Sequence, residues 1–246
     1  PHYVSPRPSF LLKLRDADLL IANGLELETG WLPGLIAQSR NEKILTPQGY
    51  LDASEGADII EKRSGPLSRV EGDVHPFGNP HYMLDPINVG RVAEHIAKKM
   101  GEIQPKDASF FEANAKRFQE ELLRREKQWA KDAQPLKNLP VITYHKTWSY
   151  FAAYFGLDVV GFIEPKPGIP PSPAHVFEIQ NLITVKDVKL IIVEPYFDQK
   201  LPESIGKKNG IPVLMLPPAV GGVESVKTYF QLVEYNLQVI RKAIGK

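Results

Sequence analysis

The sequence predicts an α/β fold of two lobes with parallel sheets, joined by one long helix. In the second half, short apolar segments alternate with helical patterns, and such alternation is typical of a parallel sheet with helices on its faces. A helical pattern at 107–134 precedes that half, and a helix of this length would reach roughly 42 Å. Because that length exceeds the width of a small lobe, we expect it to link an N-terminal lobe at 1–106 to a C-terminal lobe at 135–246.

The N-terminal lobe shows a weaker alternation. Ser9 is a residue type that caps helices, and the apolar run at 19–22 ends at Asn23-Gly24, as a short buried strand would. The expected elements are a helix at 9–16 capped by Ser9, a strand at 19–22, a helix at 28–40 and a strand at 44–45.

The last helix of this lobe has a clear start. Asp85 caps its first turn, and Pro86 loses no hydrogen bond at the first helical position. We expect the helix to run to about Met100 and to stop at Gly101. The preceding segment, 62–80, combines glycines, prolines and charges without periodicity, which indicates an exposed, mobile loop.

The C-terminal lobe repeats a short apolar strand followed by a helix. Ligands of such sheets bind beyond the carboxyl ends of the strands. The expected strands are at 140–144, 158–162, 189–194 and 212–216, and the expected helices are at 146–155, 172–185, 200–208 and 225–243.

Composition excludes several classes of function. A net charge of +1 argues against a nucleic-acid-binding protein, which would carry a basic face. No apolar run approaches the ~20 residues that a membrane span needs. The absence of cysteine removes disulfides, thiolate metal sites and cysteine nucleophiles. The sequence opens at Pro1-His2 without a signal peptide, as a mature or truncated chain would.

Three of the six histidines stand where an α/β sheet presents ligand groups. His2 and His81 each precede a predicted helix, and His145 ends a predicted strand. Neutral imidazole is the commonest metal ligand, and three imidazoles suit Zn²⁺, Cu²⁺, Ni²⁺ or Fe²⁺ better than Mg²⁺ or Ca²⁺. A single histidine before a helix is more often a polar surface residue, so position alone does not decide between the two interpretations.

The remaining histidines have simpler interpretations. His95 lies inside a predicted helix and is expected on its solvated face, and His175 is expected to serve the turn at a helix start. His75 lies on the predicted loop, where it is either an exposed residue or a ligand that covers the metal.

Enzymatic chemistry finds little support. The sequence contains no G-x-S-x-G elbow, no P-loop and no dinucleotide-binding motif. Glu164 and Glu194 each end a strand and precede a proline. Two such carboxylates could perform acid–base chemistry, but strand-end glutamates more often accept hydrogen bonds from neighbouring loops.

Five segments, in the expected order, resemble the metal-binding solute-binding proteins of zinc and manganese ABC importers. They are Pro1-His2-x-x-x-Pro6-x-Pro8, Ala17-Asp18-Leu19 through Asn23-Gly24, Asn79-Pro80-His81-Tyr82-x-Leu84-Asp85-Pro86, Ile142-Thr143-Tyr144-His145-x-x-Trp148-x-Tyr150-Phe151 and Ile192-Val193-Glu194-Pro195. The resemblance implies that His2 and His81 of the first lobe and His145 of the second bind a metal ion in a cleft between the lobes. It also implies a monomer, periplasmic or otherwise extracytoplasmic and membrane-anchored, that delivers the ion to an ABC transporter permease.

The resemblance also bears on the metal. Manganese-type members tend to carry Glu where this chain has His145, and nitrogen donors favour Zn²⁺ over Mn²⁺. We therefore expect Zn²⁺ as the transported ligand, ahead of Mn²⁺ or Fe²⁺. Many members supply a carboxylate ligand where this chain has Pro217, whose side chain cannot bind a metal. Because zinc usually takes four ligands, the fourth is expected to be Glu194, Asp198, His75 or water, with Glu194 first among the protein groups.

Two other functions remain open at this point. A zinc-dependent hydrolase also uses three histidines and a water, and a surface adhesin can share the same fold. Members of the resembling group begin with a strand, a helix and a second strand that have no counterpart here, so the N-terminal lobe is expected to be truncated at its start.

Overall fold

A computed structural model of the chain describes residues 4–62, 75–166 and 168–245. Its contacts divide these residues into two compact units, one of 4–62 and 75–122 and the other of 123–166 and 168–245. The predicted α/β class, with parallel sheets and a long helix, is confirmed. None of the described helices combines the length and the apolar composition that a membrane span requires.

The first unit is built on two parallel strands in register from Leu20↔Tyr50 to Ala22↔Asp52. Both strands are short and partly apolar, and the helices of this unit bury Leu32, Leu35 and Val92. The elements are α1 (Pro8–Arg15), β1 (Leu20–Ala22), α2 (Leu32–Ser39), β2 (Tyr50–Asp52) and α3 (Pro86–Ile103), with 3₁₀ turns at Lys43–Leu45, Ala53–Gly56 and Tyr82–Leu84.

Two predictions in this unit are wrong, namely the cap of the first helix and the strand at 44–45. Ser9 does not cap α1, because the helix already begins at Pro8, which suits the first helical position. The strand expected at 44–45 is a 3₁₀ turn, and the strand that pairs with β1 lies at Tyr50–Asp52. The side chain of Asn41 causes this turn, since it accepts a hydrogen bond from the Lys43 amide at 3.0 Å and donates to the Leu14 and Ala17 carbonyls at 2.7 Å.

The helix start at Asp85 is confirmed, and its predicted end is wrong. The Asp85 carboxylate accepts a hydrogen bond from the Ile87 amide at 2.8 Å. Gly101 does not stop the helix, which continues to Ile103. Pro105 provides the physical stop, because a proline disfavours helical backbone at the residue before it. Most of the loop predicted at 62–80 lies outside the described residues, at 63–74.

The second unit contains a parallel sheet whose strands lie in the order β4 (Asp158–Phe162), β3 (Pro140–Thr143), β5 (Leu190–Val193) and β6 (Val213–Met215). Its core is aliphatic and includes Ile142, Ile163, Ile191 and Val193. The elements are α4 (Ala108–Asp132, of which 123–132 belong to this unit), β3 (Pro140–Thr143), α5 (Ser149–Phe155), β4 (Asp158–Phe162), α6 (Pro173–Val185), β5 (Leu190–Val193), α7 (Lys200–Asn209), β6 (Val213–Met215) and α8 (Tyr229–Ala243).

The strand–helix repeat predicted for this unit is confirmed, with two corrections at helix starts. Residues Lys146–Trp148 form a 3₁₀ turn before α5. Helix α8 starts at Tyr229 rather than 225, because Thr228 and Gln231 form a capping box that fixes the first turn.

Candidate metal-binding residues

Three polar side chains follow neighbouring strands at the carboxyl edge of the second unit's sheet. Glu164 follows β4, His145 follows β3 and Glu194 follows β5. Since β3 lies between the other two strands and all three are parallel, His145 stands between the two glutamates. The edge of a parallel sheet beyond its strand ends is where such folds place their ligand-binding groups.

His145 and Glu164 form a buried pair. The Nδ1 atom of His145 lies 2.5 Å from Oε2 of Glu164, and the two side chains are 6% and 8% exposed. The second carboxylate oxygen, Oε1, accepts a hydrogen bond from the Gly168 amide at 2.7 Å. A neutral imidazole that donates from Nδ1 carries its lone pair on Nε2, which leaves that nitrogen as the possible metal donor.

The backbone around His145 is held by an extension of the ladder beyond the strands. The Tyr144 amide donates to the Ile192 carbonyl at 2.8 Å, and the Glu164 amide donates to the Tyr144 carbonyl at 2.9 Å. The Thr143 hydroxyl donates to the His145 carbonyl at 2.7 Å. These bonds fix the peptide on which the imidazole is mounted.

Glu194 has a different environment on the other side of His145. Its side chain is fully buried, and neither carboxylate oxygen has a hydrogen bond of normal geometry among the described residues. Burial raises the pKa of this carboxyl to about 7, while the Thr147 hydroxyl and His145 favour the charged form. Burial together with Glu194 also raises the pKa of the Tyr196 hydroxyl. Glu194 therefore carries a carboxyl that changes charge near neutral pH.

Asp198, another predicted alternative for the fourth ligand, serves the start of α7. Its carboxylate accepts a hydrogen bond from the Lys200 amide, the first residue of that helix, at 2.9 Å. This bond gives Asp198 a helix-capping role instead.

His81 lies in the first unit, in a loop tied to the end of β1. It is 9% exposed, and its amide donates to the Asn79 side chain at 2.9 Å. The Tyr82 hydroxyl donates to the Asn23 carbonyl at 2.6 Å, and the Asn23 side chain donates to the Pro80 carbonyl at 3.0 Å. Because Asn23 directly follows β1, these bonds hold the His81 turn at the carboxyl edge of the first unit's sheet.

The other histidines have contacts of their own. His75 is half-buried, with Nδ1 2.9 Å from the Leu25 carbonyl oxygen. His95 has Nε2 3.8 Å from a Glu55 oxygen, and His175 has Nε2 3.0 Å from the Phe162 carbonyl. His175 is thus a turn residue at the start of α6, as the sequence suggested. His2 lies outside the described residues.

The predicted ligand set of His2, His81, His145 and Glu194 stays a prediction. Among residues 4–62, 75–166 and 168–245, no three histidine or acidic side chains form a group that could hold a metal ion. One member of the predicted set, His2, is not among those residues. The sequence did not identify Glu164 as the partner of His145, and its position at the end of a predicted strand was the one signal for it.

Comparison with known proteins places the chain in a family. The model of the family described as zinc-uptake complex component A periplasmic, ZnuA, matches residues 1–243. The zinc-binding lipoprotein AdcA of Streptococcus pneumoniae is 25% identical over 98% of this chain and 49% of its own length. The manganese ABC transporter substrate-binding lipoprotein PsaA of the same species is 24% identical, over 100% of this chain and 79% of its own.

Solved structures also resemble the chain over nearly its whole length. The crystal structure of ZnuA is 27% identical with a TM-score of 0.80, over 99% of this chain and 86% of that one. A laminin-binding adhesin, Lmb, of Streptococcus agalactiae is 26% identical with a TM-score of 0.78, over 98% and 86% of the two chains. The chain spans about half the length of the zinc-binding AdcA relatives.

The family is one of solute-binding proteins and not of enzymes. The hydrolase alternative therefore loses its support. The strand-end carboxylates, the histidine at the sheet edge and the match over residues 1–243 agree on one assignment. The chain belongs to the zinc-uptake complex component A periplasmic family.

Proposed function

We propose that this chain is the solute-binding component of an ABC importer and that it captures a transition-metal ion, Zn²⁺ first. The observation that carries the proposal is the buried pair at the sheet edge, in which the His145 ring lies 2.5 Å from the Glu164 carboxylate. Metal-binding histidines usually donate their second ring nitrogen to a carboxylate or a carbonyl in this way. The family match supplies the class of protein in which the pair occurs.

The proposed ligands are His2, His81, His145 and Glu194. Neutral imidazoles are good donors for Zn²⁺, and zinc usually completes a set of four. The raised pKa of Glu194, about 7, means that this carboxyl would have to lose a proton to bind the ion near neutral pH. Water, His75 and Asp198 are the alternatives for the fourth position, and the helix-capping bond of Asp198 makes it the weakest of them.

The choice of Zn²⁺ over Mn²⁺ rests on ligand chemistry. The names of the relatives divide between the two metals, with AdcA described as zinc-binding and PsaA as a manganese transporter component. Three imidazole nitrogens favour Zn²⁺, whereas manganese sites prefer oxygen donors. Mn²⁺ and Fe²⁺ are the less favoured cargoes.

The proposed partner is the permease of an ABC transporter, met outside the cytoplasm. The family description names a periplasmic component, and AdcA and PsaA of Streptococcus pneumoniae are described as lipoproteins. We propose an extracytoplasmic monomer that binds the metal ion and releases it without chemical change.

A competition titration tests this function. The purified chain, stripped of metal, is titrated with Zn²⁺ and with Mn²⁺ against a chromophoric chelator. We expect one Zn²⁺ per chain and weaker binding of Mn²⁺. His145→Ala should weaken Zn²⁺ binding by more than about 100-fold, because an inner ligand should matter more than an outer partner. His175→Ala is the matched control, since that ring contacts the Phe162 carbonyl, and equal effects of the two variants would contradict the proposal.

Adhesion is the second candidate function. Its support is the likeness to Lmb, which is described as a laminin-binding adhesin. Binding of the purified chain to immobilised laminin, with and without Zn²⁺, tests it directly.

A further inference from the structure

We propose that Glu164 is a positioning residue for metal capture: it orients the His145 ring and selects the tautomer in which Nε2 binds the ion. The inference rests on the proposed function, because it gives Glu164 a role in zinc affinity that acts through His145. It adds a residue that is not itself a ligand and that the ligand prediction does not contain.

The first step of the argument is the geometry of the pair. Nδ1 of His145 and Oε2 of Glu164 are 2.5 Å apart, and both side chains are more than nine-tenths buried. A hydrogen bond to an ionised group is stronger than a neutral one. The pair therefore fixes the orientation of the ring.

The second step is that Glu164 is itself held in place. Its amide donates to the Tyr144 carbonyl at 2.9 Å, next to His145 in the chain. Its other carboxylate oxygen accepts from the Gly168 amide at 2.7 Å. Next to this amide, the Ile169 amide donates to the Lys166 carbonyl, and Gly168 itself has φ +77°. The carboxylate is thus bonded through both oxygens before any metal arrives.

The third step is the chemistry of the tautomer. A neutral imidazole holds one proton, on Nδ1 or on Nε2, and only the other nitrogen can bind a metal. An unconstrained histidine side chain favours the proton on Nε2. That tautomer would leave the metal-binding lone pair on Nδ1, the nitrogen that faces Glu164. A carboxylate that accepts from Nδ1–H reverses this preference and increases the basicity of Nε2. Glu164 would therefore leave the Nε2 lone pair of His145 available to bind the ion.

A second His–Glu pair in the chain offers a matched comparison. His175 and Glu178 lie three residues apart on α6, with Nδ1 3.3 Å from the carboxylate. Glu178 is 73% exposed, and its partner's Nε2 contacts the Phe162 carbonyl. This pair has the same residue types, but its glutamate is exposed and its histidine is not a proposed metal ligand.

The experiment compares Glu164→Ala, Glu164→Gln and Glu178→Ala with the wild-type chain. Long-range ¹H–¹⁵N NMR of the metal-free chains at pH 8 reports the tautomer of His145, assigned with His145→Ala. A chelator competition with Zn²⁺ alone reports affinity, and a thermal melt reports folding. We expect the Nδ1–H tautomer in the wild type, a shift toward Nε2–H in Glu164→Ala, and a loss of Zn²⁺ affinity of about 10- to 100-fold.

Glu164→Gln keeps the test open if the alanine variant does not fold. A carboxamide places its oxygen at only one of the two carboxylate positions and an NH2 group, which cannot accept, at the other, so in the wild-type orientation it loses the bond from either His145 Nδ1–H or the Gly168 amide. We expect a smaller shift of tautomer and a smaller loss of affinity than in Glu164→Ala. Glu178→Ala should change neither measurement.

The outcomes separate the two proposals. A wild-type chain that binds no Zn²⁺ would overturn the proposed function and the role of Glu164 together. Zinc binding by the wild type, with unchanged affinity in both folded Glu164 variants, would overturn the role of Glu164 alone. An Nε2–H tautomer in the metal-free wild type would also overturn it, whatever the affinities.

Discussion

Glu164 and Glu194 occupy equivalent places in the second unit and have opposite environments. Each ends a strand adjacent to β3, and each is followed by a proline. Glu164 uses both oxygens, one toward His145 at 2.5 Å and one toward the Gly168 amide at 2.7 Å. Glu194 is completely buried and has no hydrogen bond of normal geometry to its carboxylate among the described residues.

This difference shows that the loop after a strand-end glutamate determines the environment of its carboxyl group. Beyond Glu164, the chain turns back at Gly168, whose positive φ brings an amide to the carboxylate. Beyond Glu194, Gln199 instead donates to the backbone carbonyl of Glu194, at 3.1 Å. The first arrangement gives the carboxyl group two hydrogen-bond partners, and the second buries a carboxyl whose pKa rises to about 7.

The largest expected effect is on the pH dependence of stability. The pKa of Glu194 rises from 4.5 to about 7 on folding, so the folded chain binds the proton more tightly than the unfolded chain does. The free energy of unfolding should therefore fall as the pH rises from about 4.5 to 7. At about 1.4 kcal/mol per pKa unit, the ionised Glu194 should lower the free energy of unfolding by about 3 kcal/mol above pH 7.

Glu194→Gln should remove that cost. In the metal-free chain, the variant should be more stable than the wild type at pH 8 and show no advantage at pH 4, as measured by urea unfolding. Glu164→Gln is the matched variant at the other strand end, and we expect it to be less stable than the wild type at pH 8, because it breaks one of two bonds to a buried group. A gain of stability in both variants would contradict the contrast between the two glutamates.

The part of this contrast that sequence could predict was the position of the two carboxylates. The apolar runs before Glu164 and Glu194 predicted strands, and the residues after the carboxyl ends of parallel strands lie at one edge of the sheet. The pairing order was not available, because the sequence does not state that β3 lies between β4 and β5. Without that order, the proximity of His145 and Glu164 could not be predicted from residues 19 positions apart.

The fold was predictable where one signal dominates, and not where a side chain redirects the backbone. Asp85-Pro86 defined a helix start, and β4 at Asp158–Phe162 has the bounds that its apolar pattern predicted. The region near 44 was different, because three hydrogen bonds of the Asn41 side chain turn the chain before the strand begins. Such bonds depend on residues distant in sequence, so local patterns do not contain them.

The second-largest expected effect is a change in the Zn²⁺ affinity of the chain when Glu194 is replaced. If Glu194 is the fourth ligand, Glu194→Gln should lower Zn²⁺ affinity by about 10-fold or more, a loss at least as large as an outer partner would give. The same variant should be more stable without metal, so affinity and stability would change in opposite directions. Chelator competition at pH 8 measures the first quantity. Unchanged affinity would exclude Glu194 as a ligand and leave water, His75 or, least favoured, Asp198 as the alternatives.

The smallest expected effect concerns the loop that holds Glu164. Gly168 has φ +77°, and Gly210, at the end of α7, has φ +68° with open space where a Cβ would lie. Alanine at either position adopts left-handed backbone at a cost of about 1–2 kcal/mol, so Gly168→Ala and Gly210→Ala should lose similar stability in a thermal melt. Only Gly168→Ala should also weaken Zn²⁺ binding, by less than about 10-fold, since its amide supports Glu164 rather than His145 itself. Equal zinc affinity in the two variants would mean that the Glu164 carboxylate keeps its position without the Gly168 amide, and that a feature other than this loop distinguishes the two glutamates.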